Sequence, residues 1–253
     1  MSALLVPRRV LLEVGRVPGW RGENKFGHLP SAAQGGARVV APEATVNWLA
    51  AEQTISVVSA STADGAAGDN ARTIVIVGLD GDGAEVTETL PLDGTTPVST
   101  ANAYMRLNRA YVDTVGVKGN TNAGAITLSY SGTTHLSIPL GFGQSQTTVY
   151  TSPRTLVTGE TVLAAVVVDF TFTSESSKSA TFAGLGRPDF DSDGTTVPHK
   201  GIRRLVTASG VSSFTKDDEA RLLPPGADMW VEATPGSTGD VSGFYNIWLQ
   251  IDE

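Results

Sequence analysis

Apolar residues recur at every second position through several short stretches of this chain, and turn-forming residues separate those stretches. Glu85 to Leu90 places Val86 and Leu90 on one side and Thr87 and Thr89 on the other, the period of a half-buried strand. Thr161 to Thr173 reads TVLAAVVVDFTFT. Strict alternation there puts Val166, Val168, Phe170 and Phe172 on the core face, each contributing about 1.5–3 kcal/mol if fully buried. Phe244 to Ile251 separates Tyr245, Ile247, Leu249 and Ile251 from Phe244, Asn246, Trp248 and Gln250. One side is aliphatic core; the other is an aromatic face available as an interface. Ile55–Val58, Ala125–Tyr130 and Ala180–Leu185 read as further strands, and Arg72–Val77, apolar on both faces, reads as a central one. Along Ala103–Val115, Tyr104, Arg106, Asn108 and Ala110 alternate against Met105, Leu107, Arg109 and Tyr111. No segment sustains a helical period beyond a few turns, and no short repeat is present.

The punctuation of these strands sets the organisation. GLDGDG, residues 78–83, is a hairpin turn, because Asp-Gly pairs adopt the backbone angles that a tight connection needs. The expected fold is all-β: two β-sandwich or jelly-roll-like domains, residues 46–132 and 133–253, preceded by an extended N-terminal arm, residues 1–45. The arm holds one plausible strand, Val10–Val14, followed by a segment too rich in glycine and proline to build a core of its own. It nevertheless keeps Trp20 and Phe26 beside Arg21 and Lys25, residue types that dock onto surfaces, and these four are the candidate partner-binding residues. Two outcomes stand equally open: the arm grips a neighbour, or it folds back over its own sheet. On the first, deleting residues 2–44 leaves a folded β-protein that no longer binds its partner.

Composition narrows the class. Hydrophobic residues make up 40% and charged residues 17%, with 28 Gly and 13 Pro, which suits many short strands joined by tight turns. A net charge of −8 argues against a nucleic-acid partner, since affinity for phosphate backbones comes from Lys and Arg. The absence of cysteine removes disulfides, thiolate metal sites and Cys nucleophiles together. Pro7, Arg8 and Arg9 interrupt the apolar N-terminus, so no secretory leader is expected, and no stretch approaches the ~20 apolar residues of a membrane span.

The central part of the chain resembles virion structural proteins of tailed bacteriophages, of the marine and cyanobacterial phage type. The resembling segments are ISVVSASTADGAAGDNARTIVIVGLDGDGAEVTETLPLDGTTPVSTANAYMRLNRAYV and TNAGAITL, with a weaker likeness in ARLLPPGADMWVEA and the closing strand. The resemblance lies in an ordered series of strands and turns. It implies a two-domain β-sandwich particle protein without enzymatic activity: a capsid decoration or cement protein, or a head fibre. The implied partners are the major capsid protein or another virion protein, and further copies of the chain as a homo-oligomer, with a trimer favoured. No membrane partner is implied, and the expected location is the virion. A tail, baseplate or spike accessory that binds a host glycan is the alternative.

Candidate chemistry is sparse. Phosphate-cradling loops and nucleophile motifs are absent, and His28, His135 and His199 are far apart in sequence, which suits surface or interface roles. Glu85, Glu88, Asp113 and Asp169 offer carboxylates for a glycosidase pair on paper, although outward carboxylates on strands are usually there for solvation. Lys200, Arg203 and Arg204 form a small basic cluster and residues 216–219 (KDDE) an acidic one, each able to pair across an interface or simply to be solvated. The sharpest motif is DFDSDG, in which Asp189, Asp191 and Asp193 sit at alternate positions before a glycine, as in the first half of a calcium loop. The twelfth position is Lys200 where such a loop needs a bidentate Glu, and the flanks are not helical, so a solvated acidic turn with no cofactor competes with calcium. The solvated turn predicts no change in melting temperature at millimolar calcium; a saturable rise would assign the three aspartates as ligands.

Overall fold

The computed structural model describes residues 17–118, 121–175, 178–187, 199–202, 208–209, 211–214 and 221–252. Those residues form strands and connections, with no helix among them. In chain order the first strands are β1 (Trp20–Ala32), β2 (Arg38–Val39), β3 (Gln53–Ser59), β4 (Ala71–Leu79), β5 (Glu85–Pro91), β6 (Val98–Tyr104), β7 (Arg106–Val115), β8 (Ile126–Tyr130) and β9 (Thr133–Ile138). They are followed by β10 (Tyr150–Thr151), β11 (Val162–Ser174), β12 (Ser179–Arg187), β13 (His199–Ile202), β14 (Ala208–Ser209), β15 (Val211–Phe214), β16 (Arg221–Leu223), β17 (Asp228–Pro235) and β18 (Gly239–Ile251). All of their pairings are antiparallel, as expected of a sandwich or jelly-roll-like all-β fold.

The middle of the chain makes one pair of sheets, β6-β3-β8-β9 and β5-β4-β7. Their inward side chains, among them Ile55, Val57, Ile74, Ile76, Tyr104, Ile126, Leu128 and Leu136, pack into one buried core. β4 is central, as its apolar composition requires, and the GLDGDG turn joins it to β5. In that turn a carboxylate oxygen of Asp80 accepts from the amides of Asp82 at 3.0 Å and Ala84 at 2.9 Å, so the tip is closed by turn chemistry. At the far end, the fully buried Asp64 accepts from the Ser59 hydroxyl and from the amides of Ala71, Ala123 and Gly124, pinning three segments to one carboxylate.

The two ends of the chain make the other pair of sheets. β1-β18-β11-β15, with β16 also on β11, faces β10-β17-β12-β13, with β14 on β12 and β2 on β17. Phe172 and Phe182 stack across the interlayer space at 4.6 Å between ring centres, over a core that includes Leu29, Val167, Val231, Tyr245, Ile247 and Leu249. Gly27 on β1 has no room for a side chain: a Cβ there would lie 2.1 Å from the Val40 carbonyl oxygen.

Three expectations change. First, Ala103–Val115 is two strands, because the chain bends at Met105 and passes from the β6 sheet to the β7 sheet. The Met105 amide is held by the Leu79 carbonyl at 2.7 Å. Second, strict alternation fails in β11. An irregularity between Val168 and Thr171 shifts the register, so Val166 lies opposite Trp248 on the outer face while Val167 and Phe172 point into the core. Third, the boundary drawn at 132/133 falls inside the β8–β9 hairpin, whose strands pair from Ile126↔Ile138 to Tyr130↔Thr133.

The segment read as an arm supplies β1 and β2. β1 pairs with β18 continuously from Trp20↔Gln250 to Leu29↔Val241. This replaces the expectation for a chain lacking residues 2–44. Such a deletion removes β1 and β2 from both layers of the same sandwich, so the C-terminal pair of sheets should lose its cooperative unfolding transition and its resistance to limited proteolysis, while the β3–β9 part keeps both. A truncated chain that melts like the intact one would overturn this.

Candidate functional site: the two faces of the first strand

β1 reads WRGENKFGHL from Trp20, and a period of two divides its candidate residues between opposite faces. Trp20, Gly22, Asn24, Phe26 and His28 lie on the outer side, opposite Gln250, Trp248, Asn246, Phe244 and Ser242 of β18. β11 continues the face with Ala164, Val166 and Thr171. Phe26 is 38% exposed, and its cross-strand neighbour Phe244 is half-buried. Trp248 is only 7% exposed because it covers Gly22, where a Cβ would stand 2.7 Å from the indole ring. Apart from His28, whose Nδ1 lies 2.9 Å from the Ser242 hydroxyl, these outward positions carry no ionisable group.

Arg21, Glu23 and Lys25 face the other way, towards the β5-β4-β7 sheet. Arg21 donates to both oxygens of Glu85 at 2.9 and 3.0 Å and also meets Glu23 at 2.8 Å. Glu85 accepts in addition from the Val157 amide at 3.2 Å. Lys25 is buried; its ammonium donates to the Asn108 carbonyl and sits 5.9 Å from the centre of the Tyr150 ring. Burial first, and the neighbouring Arg109 charge second, pull the Lys25 pKa down to about 7 against the opposing effect of Glu23. Burial likewise pushes the Tyr150 phenol well above its ordinary range, with Glu23 and Glu85 adding to it. Between these groups lies a cleft of about 260 Å³, lined from the other side by Val77, Thr87, Arg109 and Tyr111.

Beside the cleft the two pairs of sheets are locked by a buried ion triad. Asp228 at the start of β17 is fully buried and accepts from Arg106 Nε at 3.1 Å, from Arg187 Nε at 2.9 Å and from the Thr151 hydroxyl at 2.6 Å. Arg106 opens β7, whereas Arg187 ends β12, so this one carboxylate ties together elements of both sandwiches. Arg106 also donates to the Leu49 and Met105 carbonyls, and the Trp48 ring covers both guanidiniums at 4.6 and 5.1 Å. Next to it Asn108 and Thr151 exchange two hydrogen bonds of 2.8 Å, side-chain amide to backbone.

Of the candidates read from the sequence, Trp20 and Phe26 stand on the outer face, while Arg21 and Lys25 are engaged within the chain. Asp189, Asp191 and Asp193 lie outside the described residues, as do Arg203, Arg204 and residues 216–219. Glu85 and Glu88 do not face a common groove as free carboxylates: Glu85 holds Arg21, and Glu88 accepts from the Ala101 and Asn102 amides at 2.8 and 2.9 Å. Among the described residues no three His, Asp or Glu side chains converge as a metal site. Asp228 and Arg187 carried no local signal. Arg106 and Asn108 did, as polar side chains flanking Leu107 in a strand-like stretch.

No protein-family model matches the chain, and no curated protein matches it in sequence. Among solved structures it is similar to viral capsid proteins. The crystal structure of the STIV MCP aligns over 90% of this chain and 97% of that one, with 9% identity and a TM-score of 0.24. The structure of infectious bursal disease virus Gt strain aligns over 98% and 88%, with 14% identity and a TM-score of 0.21. The infectious bursal disease virus VP2 subviral particle aligns over 96% and 76%, with 12% identity and a TM-score of 0.22. Scores of this size fall below what a shared fold gives, so these likenesses fix neither fold nor function.

Asp228→Ala leaves two buried guanidiniums facing each other, and the expected loss of stability is about 3–5 kcal/mol. Replacing Arg106, Arg187 and Asp228 together by apolar residues of similar volume should recover much of it. Chemical denaturation of the single and triple variants measures both; an Asp228→Ala variant within ~0.5 kcal/mol of the parent would show that the triad does not hold the junction.

Proposed function

We propose that the chain is a non-enzymatic structural protein of a tailed-phage virion, carried on the capsid as a decoration or cement subunit and assembled as a homotrimer. The observation that carries this reading is the outer face of β1, β18 and β11. Copies of a chain with a net charge of −8 repel one another wherever charged surface meets charged surface. A face built from Trp20, Phe26, Phe244 and Val166 with asparagine, glutamine and threonine between them removes that obstacle and supplies the aromatic anchors from which interface energy usually comes. The ordered series of strands and turns in residues 55–112 and 121–128, which resembles tailed-phage virion proteins, supports placing that contact in a particle.

The mechanism is mechanical. Aromatic side chains on a flat sheet lose little conformational entropy on docking, so a contact of standard size, roughly 1,200–2,000 Å² in total, can be held by few anchors. Within the chain the buried triad and the Arg21–Glu85 pair pass load from one sandwich to the other without help from a partner.

Quantitative mass spectrometry of purified particles tests the assignment. Copies in the hundreds per particle agree with decoration; a small number set by tail symmetry moves the chain to the tail accessory reading, and absence from particles ends the virion proposal. Phe26→Asp should abolish trimer formation and particle binding while leaving the single chain folded, at a cost of about 1–2 kcal/mol from the lost cross-strand contact with Phe244. Unchanged assembly of that variant would remove this face from the interface.

A further inference from the structure

The cleft behind β1 has chemistry that a particle scaffold does not need, and it does not depend on the virion reading. It holds three cationic side chains, Arg21, Lys25 and Arg109, against two carboxylates, Glu23 and Glu85. Arg21 and Glu85 satisfy each other through a two-point contact, and Glu23 is drawn to Arg21 at 2.8 Å but lies 3.7 Å from Arg109. With Lys25 protonated, one positive charge is left over, shared by Lys25 and Arg109. Like charges held side by side at a buried position oppose each other unless something of opposite sign lies between them.

The donors available to such a group are defined. An ammonium has three N–H donors, and Lys25 uses one on the Asn108 carbonyl. Arg109 is about one-third exposed and gives one N–H to the Asn24 carbonyl at 2.7 Å, leaving the rest of its planar fork for an acceptor. Tyr111 and Thr87 add neutral hydroxyls to the wall. We propose that this cleft is a binding site for a small carboxylate monoanion, seated between the Lys25 ammonium and the Arg109 guanidinium. A carboxylate matches a guanidinium in shape and in its two acceptors, and a single negative charge brings the lining to neutrality. A phosphate dianion would instead leave excess negative charge beside Glu23 and Glu85.

Proton linkage follows from the same geometry. The ionisable groups around Lys25 are Arg21 and Glu23 on its own strand, Arg109 and Tyr111 on β7, Glu85 on β5 and Tyr150 on β10. Of these, Arg109 and burial disfavour the ammonium, and a bound carboxylate favours it. Lys25 titrates near 7, so carboxylate binding above that pH takes up a proton and weakens as the pH rises.

The test uses the intact chain, with acetate as probe, acetamide as its uncharged isostere, chloride to match ionic strength and phosphate as the competing anion class. Isothermal titration at pH 8 in two buffers of different ionisation enthalpy should give saturable acetate binding with net proton uptake, no acetamide binding and weaker phosphate binding. Arg109→Gln, at a partly exposed position, should stay folded and lose about tenfold or more in acetate affinity; Lys25→Met should lose the proton uptake. The proposal is overturned if acetate behaves like chloride, if acetamide or phosphate binds as well as acetate, or if Arg109→Gln binds acetate like the parent.

Discussion

A single buried carboxylate, Asp228, decides how the two halves of this protein meet. It lies in the dark between Arg106 and Arg187, one guanidinium from each sandwich, with the Thr151 hydroxyl completing its shell. One negative charge against two positive ones is not neutral, and the remainder is spread over the Leu49 and Met105 carbonyls and the face of Trp48. Removing such charges from water is expensive, so the triad is better understood as fixing geometry than as adding net stability. β7, β12 and β17 are placed so that Arg106 and Arg187 share the one carboxylate. That placement also explains the bend at Met105, which turns the chain out of one sheet so that Arg106 can start the next strand beside Asp228.

Once that junction is set, β1 has a defined task. It completes a sheet of the C-terminal sandwich through its pairing with β18, and its inner side is placed against the N-terminal sandwich, where Arg21 meets Glu85 and Lys25 meets Asn108. The period of two then leaves Trp20 and Phe26 nowhere to go but outward. A stretch that looks on its own like a loose docking arm thus becomes a structural strand whose spare face carries the aromatics. Folding back on the chain is therefore compatible with a free outer face, because the two use opposite sides of the same strand.

The fold class and most strands were legible because alternation is a local property. β3, β4, β5 and β18 follow their pattern, and Tyr245, Ile247 and Leu249 are buried as their spacing requires. Where the reading failed, the cause lies outside the local window. The irregularity in β11 adds a residue that reverses the sense of alternation, and the sequence TVLAAVVVDFTFT is apolar enough on both faces to hide it. The triad is less visible still: Arg106 and Asp228 are 122 positions apart, and a lone aspartate before a strand looks like any other turn residue. Arg106 and Asn108, polar side chains flanking Leu107 in a strand-like stretch, are the local sign of a polar junction. The four candidate residues of β1 stand out as a group in the sequence, but their division between two faces follows only from the segment's being a strand.

The charge distribution links these levels. The fully or nearly buried cations, Lys25, Arg106 and Arg187, are matched in number by the buried acids Asp64, Glu85 and Asp228. Burial among the described residues therefore leaves the chain's net charge of −8 essentially intact for its surface and its remaining residues. An acidic surface keeps copies apart in solution and resists indiscriminate contact with other acidic macromolecules. Against that background a neutral, aromatic sheet face is selective by exclusion: it is a place where close approach is not opposed by charge, and its anchors reward only a partner that covers them. The cleft, like the triad, gathers more cationic than acidic side chains in shelter from water, but it is open to solvent on one side. Interior charge balance, set by the triad and by the two faces of β1, thus divides the charged cleft behind the strand from the neutral aromatic face in front of it.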